Sequence, residues 1–330
     1  MRPMAIEHPL AITIGDPGGI GPEVALRALA ERKEAALLVG PESLWRHHAA
    51  EVARIRPELR EPLVGVLQRC AFESTDDPEE GAKATLGETN RRHGLVAARA
   101  VERAVALVKE GRVGTIVTAP LNKDGLKKAR VEYPGHTEML RDLAGVEETT
   151  MAFVGGGLKV ALATIHVPLR TIWDLLTPEL IARKAAHLHA FVKRLGTPSP
   201  RIGLAGLNPH AGEGGLFGDE EETILRPAQE LAREQGVELL GPYPPDTIFF
   251  EARQGRLDAV LALYHDQALI AVKTIAFDSA VNVTLGMPFF RTSPDHGTAF
   301  DVAGQGIANT GSMKVAIALA RDLVPGEVVT

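Results

Sequence analysis

Short apolar runs alternate with segments of helical periodicity along most of the chain. Continuous apolar runs of four to eight residues bounded by turn residues are typical of strands that are buried on both faces. The predicted strands cover residues 10–15, 35–40, 115–119, 151–154, 158–165, 202–207, 237–240, 257–264 and 281–285. Pro22 opens a predicted helix after the first strand. Two longer helices are predicted, one over about 88–110 that Gly111 ends and one that Thr177 caps and Gly196 ends.

The order of these elements predicts an α/β fold. Strands that alternate with helices form a largely parallel sheet with helices on both faces. Glycines 155–157 lie between two predicted strands, which indicates a hairpin and therefore an antiparallel part. The expected architecture is a mixed, mostly parallel sheet.

Length and charge limit the class of protein further. With 330 residues, the chain is too long for one small core and suits two α/β lobes, or one lobe with a large insertion. The formal net charge of −6 disfavours a surface for nucleic acid or anionic membranes. No run reaches the roughly 18 apolar residues of a membrane span, so we expect a cytoplasmic protein. Cys70 is the only cysteine, which excludes an intrachain disulfide, and we expect a passive thiol at a strand end.

Three histidines follow predicted strands, where ligands of parallel sheets collect. They are His166, His210 and His265. Three neutral imidazoles suit a zinc-like divalent ion and leave a coordination position for substrate. For each of them alone a hydrogen-bonded core histidine is the favoured interpretation, but three at the same edge of one sheet favour a shared site. The histidines that stand in polar surroundings are expected at the surface, namely His8, His47, His48 and His93.

The loop 15–23 (Gly-Asp-Pro-Gly-Gly-Ile-Gly-Pro-Glu) joins the first strand to a helix. Such loops present backbone N–H groups and a helix N-terminus to an anion. The dinucleotide fingerprint Gly-x-Gly-x-x-Gly fails, because Val24 stands where the third glycine is needed. A standard Rossmann site is therefore disfavoured, and a tight structural turn is the alternative.

Several polar residues are candidates for an anionic ligand. His136 and Thr137 start a helix and can donate to a phosphate or carboxylate, although a plain helix cap is the alternative. Lys273, Asn282 and Arg291 interrupt an otherwise apolar stretch. The guanidinium fork of an arginine suits a carboxylate or phosphate, and solvated surface residues are the alternative interpretation.

Two loops carry further polar residues. The glycine-dense loop 208–218 contains His210 and Glu213, and its entropy cost on ordering favours a functional role. The acidic loop 73–83 is expected to be solvated.

Seven motifs occur in order over nearly the whole chain. They are 15–23, Thr-Ala-Pro-Leu-Asn-Lys (118–123), Gly-His-Thr-Glu (135–138), Leu-Asn-Pro-His-Ala-Gly-Glu-Gly-Gly (207–215), Tyr-His-Asp-Gln (264–267), Val-Asn-Val-Thr-Leu-Gly (281–286) and Arg-Thr-Ser-Pro-Asp-His-Gly-Thr-Ala-Phe-Asp (291–301). Together they resemble the 4-hydroxythreonine-4-phosphate dehydrogenase family of pyridoxal phosphate synthesis. The segments 19–23 and 296–309 also resemble the wider isocitrate/isopropylmalate dehydrogenase group, in which the late segment wraps the NAD adenosine without a Rossmann fingerprint.

The resemblance implies two α/β/α lobes of isocitrate/isopropylmalate dehydrogenase-like type with the active site in the interlobe cleft. A first lobe of residues 1–140 plus about 290–330 would carry much of the NAD site. A second lobe of about 141–289 would carry metal ligands and dimer contacts.

The resemblance also implies a homodimer whose active site lies at the subunit interface. A divalent metal, with zinc preferred and magnesium or cobalt as alternatives, would bind His166, His210 and His265 drawn from both subunits. The implied substrate residues are His136, Thr137, Lys273, Asn282 and Arg291, and those for NAD or NADP are His296, Gly297, Thr298 and Asn309. Gly18 stands where alanine is common in the family, which we expect to leave the turn intact.

The implied reaction oxidises the secondary alcohol of 4-phosphooxy-L-threonine and passes hydride to NAD. The product, 2-amino-3-oxo-4-phosphooxybutanoate, then loses CO2 to give 3-amino-2-oxopropyl phosphate. Asp246 and Asp266 are candidates for the base, and the alternative for each is a helix cap or a partner of a histidine.

Three other functions compete with this one. A sister dehydrogenase for D-threonate or D-erythronate 4-phosphate would differ only near the substrate amine. A phosphate acyltransferase of the same fold group is disfavoured by the three strand-end histidines and the segment 296–309, because acyl transfer needs neither metal nor NAD. A phosphate-binding module without catalysis is the third.

Overall fold

The computed structural model describes residues 8–324 except 80 and 82. Its strands are β1 (His8–Thr13), β2 (Leu37–Val39), β3 (Ala71–Glu73), β4 (Val113–Thr118), β5 (Thr150–Gly155), β6 (Leu158–Leu162), β7 (Ile202–Ala205), β8 (Leu239–Tyr243), β9 (Ala259–Ala262), β10 (Val281–Leu285) and β11 (Phe290–Pro294).

The α-helices connect these strands. They are α1 (Gly21–Arg32), α2 (Glu42–Ile55), α3 (Arg60–Arg69), α4 (Arg91–Lys109), α5 (Lys123–Lys128), α6 (His136–Ala144), α7 (Ile172–Leu175), α8 (Pro178–Arg194), α9 (Arg226–Glu234), α10 (Ile248–Arg253), α11 (His265–Ala276) and α12 (Gly311–Asp322). Across the described residues, none of the helices is both long and apolar enough to cross a membrane. The chain divides into two compact units, residues 1–148 with 287–330 and residues 149–286.

The first unit contains five parallel strands in the order β3-β2-β1-β4-β11. All residues of β4 are buried, and the middle of β1 is equally inaccessible. Helix α4 packs against β1 and β4. Because all five strands run in one direction, their carboxyl ends share one edge, and the loops that follow β1, β4 and β11 carry candidate site residues.

The second unit contains six strands in the order β10-β5-β6-β9-β7-β8. Strands β10, β5 and β6 pair antiparallel, and β6, β9, β7 and β8 pair parallel. The β5–β6 hairpin closes at Gly155 opposite Leu158, and the two turn glycines take φ values of +59° and +82°, a region that favours glycine. Phe153, Leu162 and Val272 belong to the apolar core beneath these strands.

The predicted fold class is confirmed, since the chain is α/β with a mixed, mostly parallel strand arrangement and an antiparallel hairpin where it was expected. Two strands were missed. β3 is only three residues long, and β11 reads Phe-Arg-Thr-Ser-Pro, which lacks an apolar run. Cys70 follows the last residue of α3 and precedes β3, so its predicted place at a strand end is wrong. The thiol is buried, and burial raises its pKa, which fits a passive cysteine.

Two of the histidines expected at the surface are buried. His48 follows Leu44 by four residues and precedes Val52 by four, so it lies on the buried face of α2. His93 is 1% exposed at the start of α4. The prediction relied on the polar residues next to each histidine in the sequence. It was wrong because neighbouring residues of a helix point to different faces, so a buried histidine can have exposed polar neighbours. The side chain of His8 lies outside the described residues.

The acidic loop is only partly solvated. The carboxylate of Asp77 is buried in an ion pair with Arg92, whose Nε and Nη2 donate to the two carboxylate oxygens at 2.8 and 2.6 Å. The prediction of a wholly solvated loop is therefore wrong at Asp77. Its pKa is lowered by this hydrogen-bonded arginine.

Candidate active site

Arg291 is a buried cation in the first unit. It lies in β11 beside β4, in register with Ile116, and is 4% exposed. Its Nε donates to Thr118 Oγ1 at 2.8 Å, which fixes the plane of the guanidinium. Burial lowers the pKa of Arg291 to about 9, so the group still carries its charge at neutral pH but in a poorly hydrated place. Such a cation favours an anionic ligand.

His136 and Thr137 are the first two residues of α6, after Gly135. The Nε2 atom of His136 is buried and has no hydrogen-bond partner among the described residues. Burial, and after it the positive charge of Arg291, pushes the pKa of His136 well below its ordinary value. His136 is therefore neutral at physiological pH. A helix start, a neutral imidazole with an unused ring nitrogen and the Arg291 charge together suit a phosphate or carboxylate.

The glycine loop after β1 uses its backbone N–H groups within the protein. Gly18 N donates to Asp16 Oδ1 (2.8 Å), Gly19 N to Asp16 O (3.0 Å) and Ile20 N to Thr298 O (2.9 Å). The prediction that this loop offers its amides to a bound anion is wrong for these three groups, since the Asp16 carboxylate accepts from Gly18 N and backbone carbonyls accept from the other two. The alternative, a tight structural turn, describes this part of the loop.

A buried network fixes Asp16 in turn. Thr89 Oγ1 donates to Asp16 Oδ2 at 2.5 Å, and His93 Nδ1 donates to Glu88 O at 3.2 Å while lying 3.5 Å from Asp16 Oδ1. A Cβ atom placed on Gly18 would lie 1.9 Å from Glu88 O. With glycine at position 18 the turn is intact, as expected. A methyl group would not fit there, because the backbone of residues 88–89 packs against Gly18.

The late segment 296–309 packs on the same loop. A Cβ atom on Gly19 would lie 2.7 Å from Thr298 O, so the two segments touch through backbone. His296 Nδ1 donates to Gly297 O at 3.0 Å, and its Nε2 is buried without a hydrogen bond to the described residues. Gly297 faces open space. Asn309 is exposed, and its Oδ1 accepts from the backbone N–H of Gly311, the first residue of α12, at 2.8 Å. An unused ring nitrogen next to an open glycine fits a bound cofactor.

In the second unit, His166 and His265 lie side by side. His166 follows β6, His265 begins α11 after β9, and β6 and β9 are parallel neighbours. The ring centroids are 5.4 Å apart with a 50° tilt. Both rings line a cavity of about 220 Å³ together with Pro168. Parallel pairing of the two strands thus places both imidazoles at one edge, as predicted for a ligand site.

Of the two aspartates considered as a base, Asp266 contacts a histidine. His265 Nδ1 donates to Asp266 Oδ1 at 2.7 Å. A carboxylate on Nδ1 fixes the tautomer and leaves Nε2 as the metal-binding nitrogen, which is the usual arrangement around a histidine ligand. The donor chemistry at His265 therefore fits a divalent metal. Asp246 is exposed in the turn before α10.

His210 lies in a left-handed segment of backbone. Residues 210–215 all have positive φ, with values of +54° at His210, +53° at Ala211 and +42° at Glu213. Left-handed backbone costs about 1–2 kcal/mol at each non-glycine residue. The ring centroids of His210 and Phe217 are 6.1 Å apart, with the rings tilted by 45°. Within residues 8–79, 81 and 83–324, no three His, Cys, Asp or Glu side chains of one chain form a metal-holding group, so His210 does not complete a triad with the other two histidines.

Lys273 and Asn282 also lie in the second unit. Lys273 lies two turns after His265 on α11 and lines an open cavity of about 450 Å³ with Ile270. Its Nζ is 5.8 Å from the Phe277 ring centroid. Asn282 is half-buried in β10, opposite Phe153 of β5.

Two supporting residues were missed in the sequence. Thr118 belongs to the motif 118–123, so its position was noticed, but its bond to Arg291 joins residues 173 positions apart. Glu221 follows the glycine-dense loop as one glutamate in an acidic cluster and is 3% exposed. No local pattern distinguishes it from its exposed neighbour Glu222.

Comparison with known proteins identifies the class. The structure is similar to the solved 4-hydroxythreonine-4-phosphate dehydrogenase of Klebsiella pneumoniae, with a TM-score of 0.81, 39% identity and coverage of 96% of this chain and 99% of that chain. A 4-hydroxythreonine-4-phosphate dehydrogenase of Beijerinckia indica is 41% identical over 96% of each chain. A D-threonate 4-phosphate dehydrogenase of Pectobacterium atrosepticum is 40% identical over 95% of this chain and 98% of its own length. The protein is thus a dehydrogenase.

The family can be stated as well. The family model described as Pyridoxal phosphate biosynthetic protein PdxA matches residues 32–320. The chain belongs to this family.

Proposed function

We propose that the protein oxidises 4-phosphooxy-L-threonine with NAD or NADP, giving 2-amino-3-oxo-4-phosphooxybutanoate, which then decarboxylates to 3-amino-2-oxopropyl phosphate. The observation that carries the proposal is the buried Arg291 cation beside neutral His136. The chain that holds them is 41% identical to the 4-hydroxythreonine-4-phosphate dehydrogenase of Beijerinckia indica. The oxidation converts one CH–OH to C=O, transfers hydride to the nicotinamide and releases one proton. Decarboxylation follows because the product is a 3-oxo acid.

The substrate phosphate is assigned to Arg291, His136 and Thr137. Arg291 offers a planar fork whose orientation the bond to Thr118 fixes. His136 has a buried ring nitrogen to donate. Lys273 and Asn282 are assigned to the remaining polar groups of the substrate, the carboxylate and the amine or hydroxyl.

The metal is assigned to His166, His210 and His265, with zinc preferred. A divalent ion held by neutral imidazoles would lower the pKa of the substrate hydroxyl and so ease loss of its proton. His265 is oriented for this role by Asp266. Asp246 remains the candidate for accepting the proton, because Asp266 is engaged with a histidine.

We assign the active site to the interface of a homodimer. Large apolar side chains are exposed in the same segments as the histidines. Leu216 (72%) lies six residues after His210, Ile270 (68%) lies on α11 with His265, and Phe277 (75%) directly follows α11. Exposed apolar clusters of this kind are typical of a subunit interface. A second copy that covers α11 would bring its own residues to the His166–His265 pair, which supports ligands from both subunits.

The cofactor is assigned to His296, Gly297, Thr298 and Asn309. The buried Nε2 of His296 and the open space at Gly297 support this assignment. Thr298 holds the segment on the glycine loop through its carbonyl bond to Ile20 N.

The proposal is tested by following NADH or NADPH formation with 4-phosphooxy-L-threonine, before and after treatment with a chelator, with release of CO2 as the second readout. Activity that is lost with the chelator and restored by Zn2+ is expected. Activity that survives complete metal removal would contradict the metal assignment. No turnover at any metal content would contradict the function.

A mixed dimer tests the shared site. A dimer of one His210→Ala chain and one His166→Ala chain should keep about one intact metal site in two if these ligands come from different chains. Inactive mixed dimers alongside active wild-type dimers would place both histidines in the same chain's site.

A second candidate is the oxidation of D-threonate 4-phosphate. The D-threonate 4-phosphate dehydrogenase of Pectobacterium atrosepticum is 40% identical to this chain, against 41% for the 4-hydroxythreonine-4-phosphate dehydrogenase of Beijerinckia indica. The two substrates share the phosphate, the carboxylate and the oxidised alcohol and differ at the amine.

A further inference from the structure

The left-handed segment at residues 210–215 needs an external support. Its backbone turns the unfavourable way at three non-glycine residues, including His210. Strained backbone of this kind persists only where surrounding contacts determine it, and it concentrates at functional sites. Two carboxylates support it in this structure: Glu220 Oε2 accepts one hydrogen bond, from Asn208 Nδ2 at 2.7 Å, and one buried carboxylate accepts three.

Glu221 is that carboxylate. Its Oε1 accepts from Leu207 N at 2.9 Å and from Asn208 N at 2.8 Å, and its Oε2 accepts from Asn208 Nδ2 at 2.9 Å. These three bonds hold the residues directly before the left-handed segment. The residue begins a π-helical turn, Glu221–Leu225, a rare form that is frequent at functional sites.

The carboxylate also contacts the segment itself. A Cβ atom on Gly212 would lie 2.7 Å from Glu221 Oε2, so the carboxylate packs against the backbone in the middle of the left-handed run. Gly214, two residues further along, also has a positive φ (+67°), but a Cβ atom placed on it would have no contact within 4 Å. Glu221 therefore contacts the loop on both sides of His210, at residues 207–208 before it and at Gly212 after it.

We propose that Glu221 is a positioning residue that holds His210 in the orientation needed to bind the metal. The inference rests on the proposed function, because it takes His210 to be a metal ligand. Glu221 contacts neither metal nor substrate in this role. It acts through the backbone of Leu207 and Asn208 and through the close approach to Gly212.

The first test compares Glu221→Gln with Glu222→Gln in the full-length protein. The amide keeps the size of the side chain but places an NH2 group where Oε2 accepts from Asn208 Nδ2, so two donors face each other. Glu222 is exposed and pairs with Arg226, away from the loop. Zn2+ affinity, measured by competition with a chromophoric chelator, should fall about 10- to 100-fold in Glu221→Gln and stay unchanged in Glu222→Gln.

Hydrogen exchange gives a readout that does not depend on metal. The amides of residues 207–216 in the metal-free protein should exchange at least about tenfold faster in Glu221→Gln than in Glu222→Gln, with exchange in β4 and β11 unchanged. Equal exchange in the two variants would overturn the proposal whatever the Zn2+ result.

The second test approaches the same contact from the loop and covers the case in which Glu221→Gln does not fold. Gly212→Ala and Gly214→Ala both place an alanine at positive φ, +78° and +67°, but only Gly212→Ala brings a methyl group to 2.7 Å from Glu221 Oε2. We expect Gly212→Ala to lower Zn2+ affinity at least about tenfold more than Gly214→Ala. Equal losses would mean that backbone strain alone accounts for the effect and would overturn the role of Glu221.

The wild-type control separates the two proposals. If wild type binds Zn2+ and Glu221→Gln binds it equally well, only the positioning role fails. If wild type binds no Zn2+ with or without NAD, the metal assignment of the proposed function fails, and the positioning role fails with it.

Discussion

Arg291→Lys tests the phosphate site most sharply, because it keeps a cation while removing the fork. In the structure Arg291 Nε donates to Thr118 Oγ1 at 2.8 Å, so one nitrogen of the guanidinium holds the protein while the proposed phosphate contact requires another. Lysine has a single nitrogen for both tasks. Loss of one charge-assisted hydrogen bond costs about 1.5–3 kcal/mol, roughly 10- to 150-fold in kcat/KM for the phosphorylated substrate.

Burial adds a pH dependence to this variant. Burial lowers the pKa of Arg291 to about 9, which leaves the arginine charged at pH 7. The same burial acts on a lysine whose ordinary pKa is about 10.4, lower than that of arginine, and so favours the neutral amine sooner. The defect of Arg291→Lys relative to wild type should therefore grow as the pH rises from 6 to 8.5.

The assay is steady-state NADH formation with 4-phosphooxy-L-threonine and with 4-hydroxy-L-threonine. The loss should be confined to the phosphorylated substrate, and KM for NAD should not change. Thr118→Ser, which keeps the hydroxyl, is the matched control for Thr118→Val, which removes the acceptor of Arg291 Nε and should cost severalfold. An equal loss on both substrates would assign Arg291 to another substrate group, and an unchanged kcat/KM would place it outside the site.

Three further predictions follow from contacts elsewhere in the chain. Asp266→Asn should lower Zn2+ affinity about 10- to 100-fold by removing the carboxylate from His265 Nδ1, whereas exposed Asp278→Asn should not, and equal affinities by chelator competition would contradict the role of Asp266. His48 is fully buried, and burial lowers its pKa to about 4. Between pH 6.5 and pH 4 this histidine is therefore protonated in the unfolded chain but not in the folded chain, so the free energy of unfolding falls as the pH drops through that range. Between pH 7 and pH 5 this loss is about 2 kcal/mol in urea unfolding, and His48→Gln should lack it; an identical pH dependence in the variant would refute the assignment. Gly18→Ala should destabilise the protein by about 1–3 kcal/mol, because its methyl group meets Glu88 O at 1.9 Å, whereas Gly297→Ala meets open space; equal melting temperatures would show that the 88–89 backbone yields freely.

Periodicity predicted the strands in which apolar and β-branched residues predominate, and it failed for β3, which is only three residues long, and for β11, which is mostly polar. β10 was predicted with its observed bounds because Val-Asn-Val-Thr-Leu is short, β-branched and bounded by a glycine. β11 was missed because its residues are mostly polar and end in proline, and its position depends on pairing with β4 more than 170 residues earlier. The strand that carries Arg291 was thus one of the two that local pattern could not show.

The candidate site divides in a similar way. The placement of His166 and His265 at one edge could be predicted, since carboxyl ends of parallel strands share an edge, and the structure puts the two rings 5.4 Å apart. The use of the glycine-loop amides could not be predicted, because it depends on Asp16 folding back on Gly18 and on a carbonyl from Thr298. Glu221 and Glu222 look alike in the sequence, and only the three-dimensional contact with Asn208 separates them.

The substrate amine decides between the two related reactions. The ratio of kcat/KM for 4-phosphooxy-L-threonine to that for D-threonate 4-phosphate, measured as NADH formation with Zn2+ present, tests this directly. We expect a ratio of about ten or more in favour of the amino acid. A ratio below one would contradict the proposed substrate and assign the protein to D-threonate 4-phosphate oxidation.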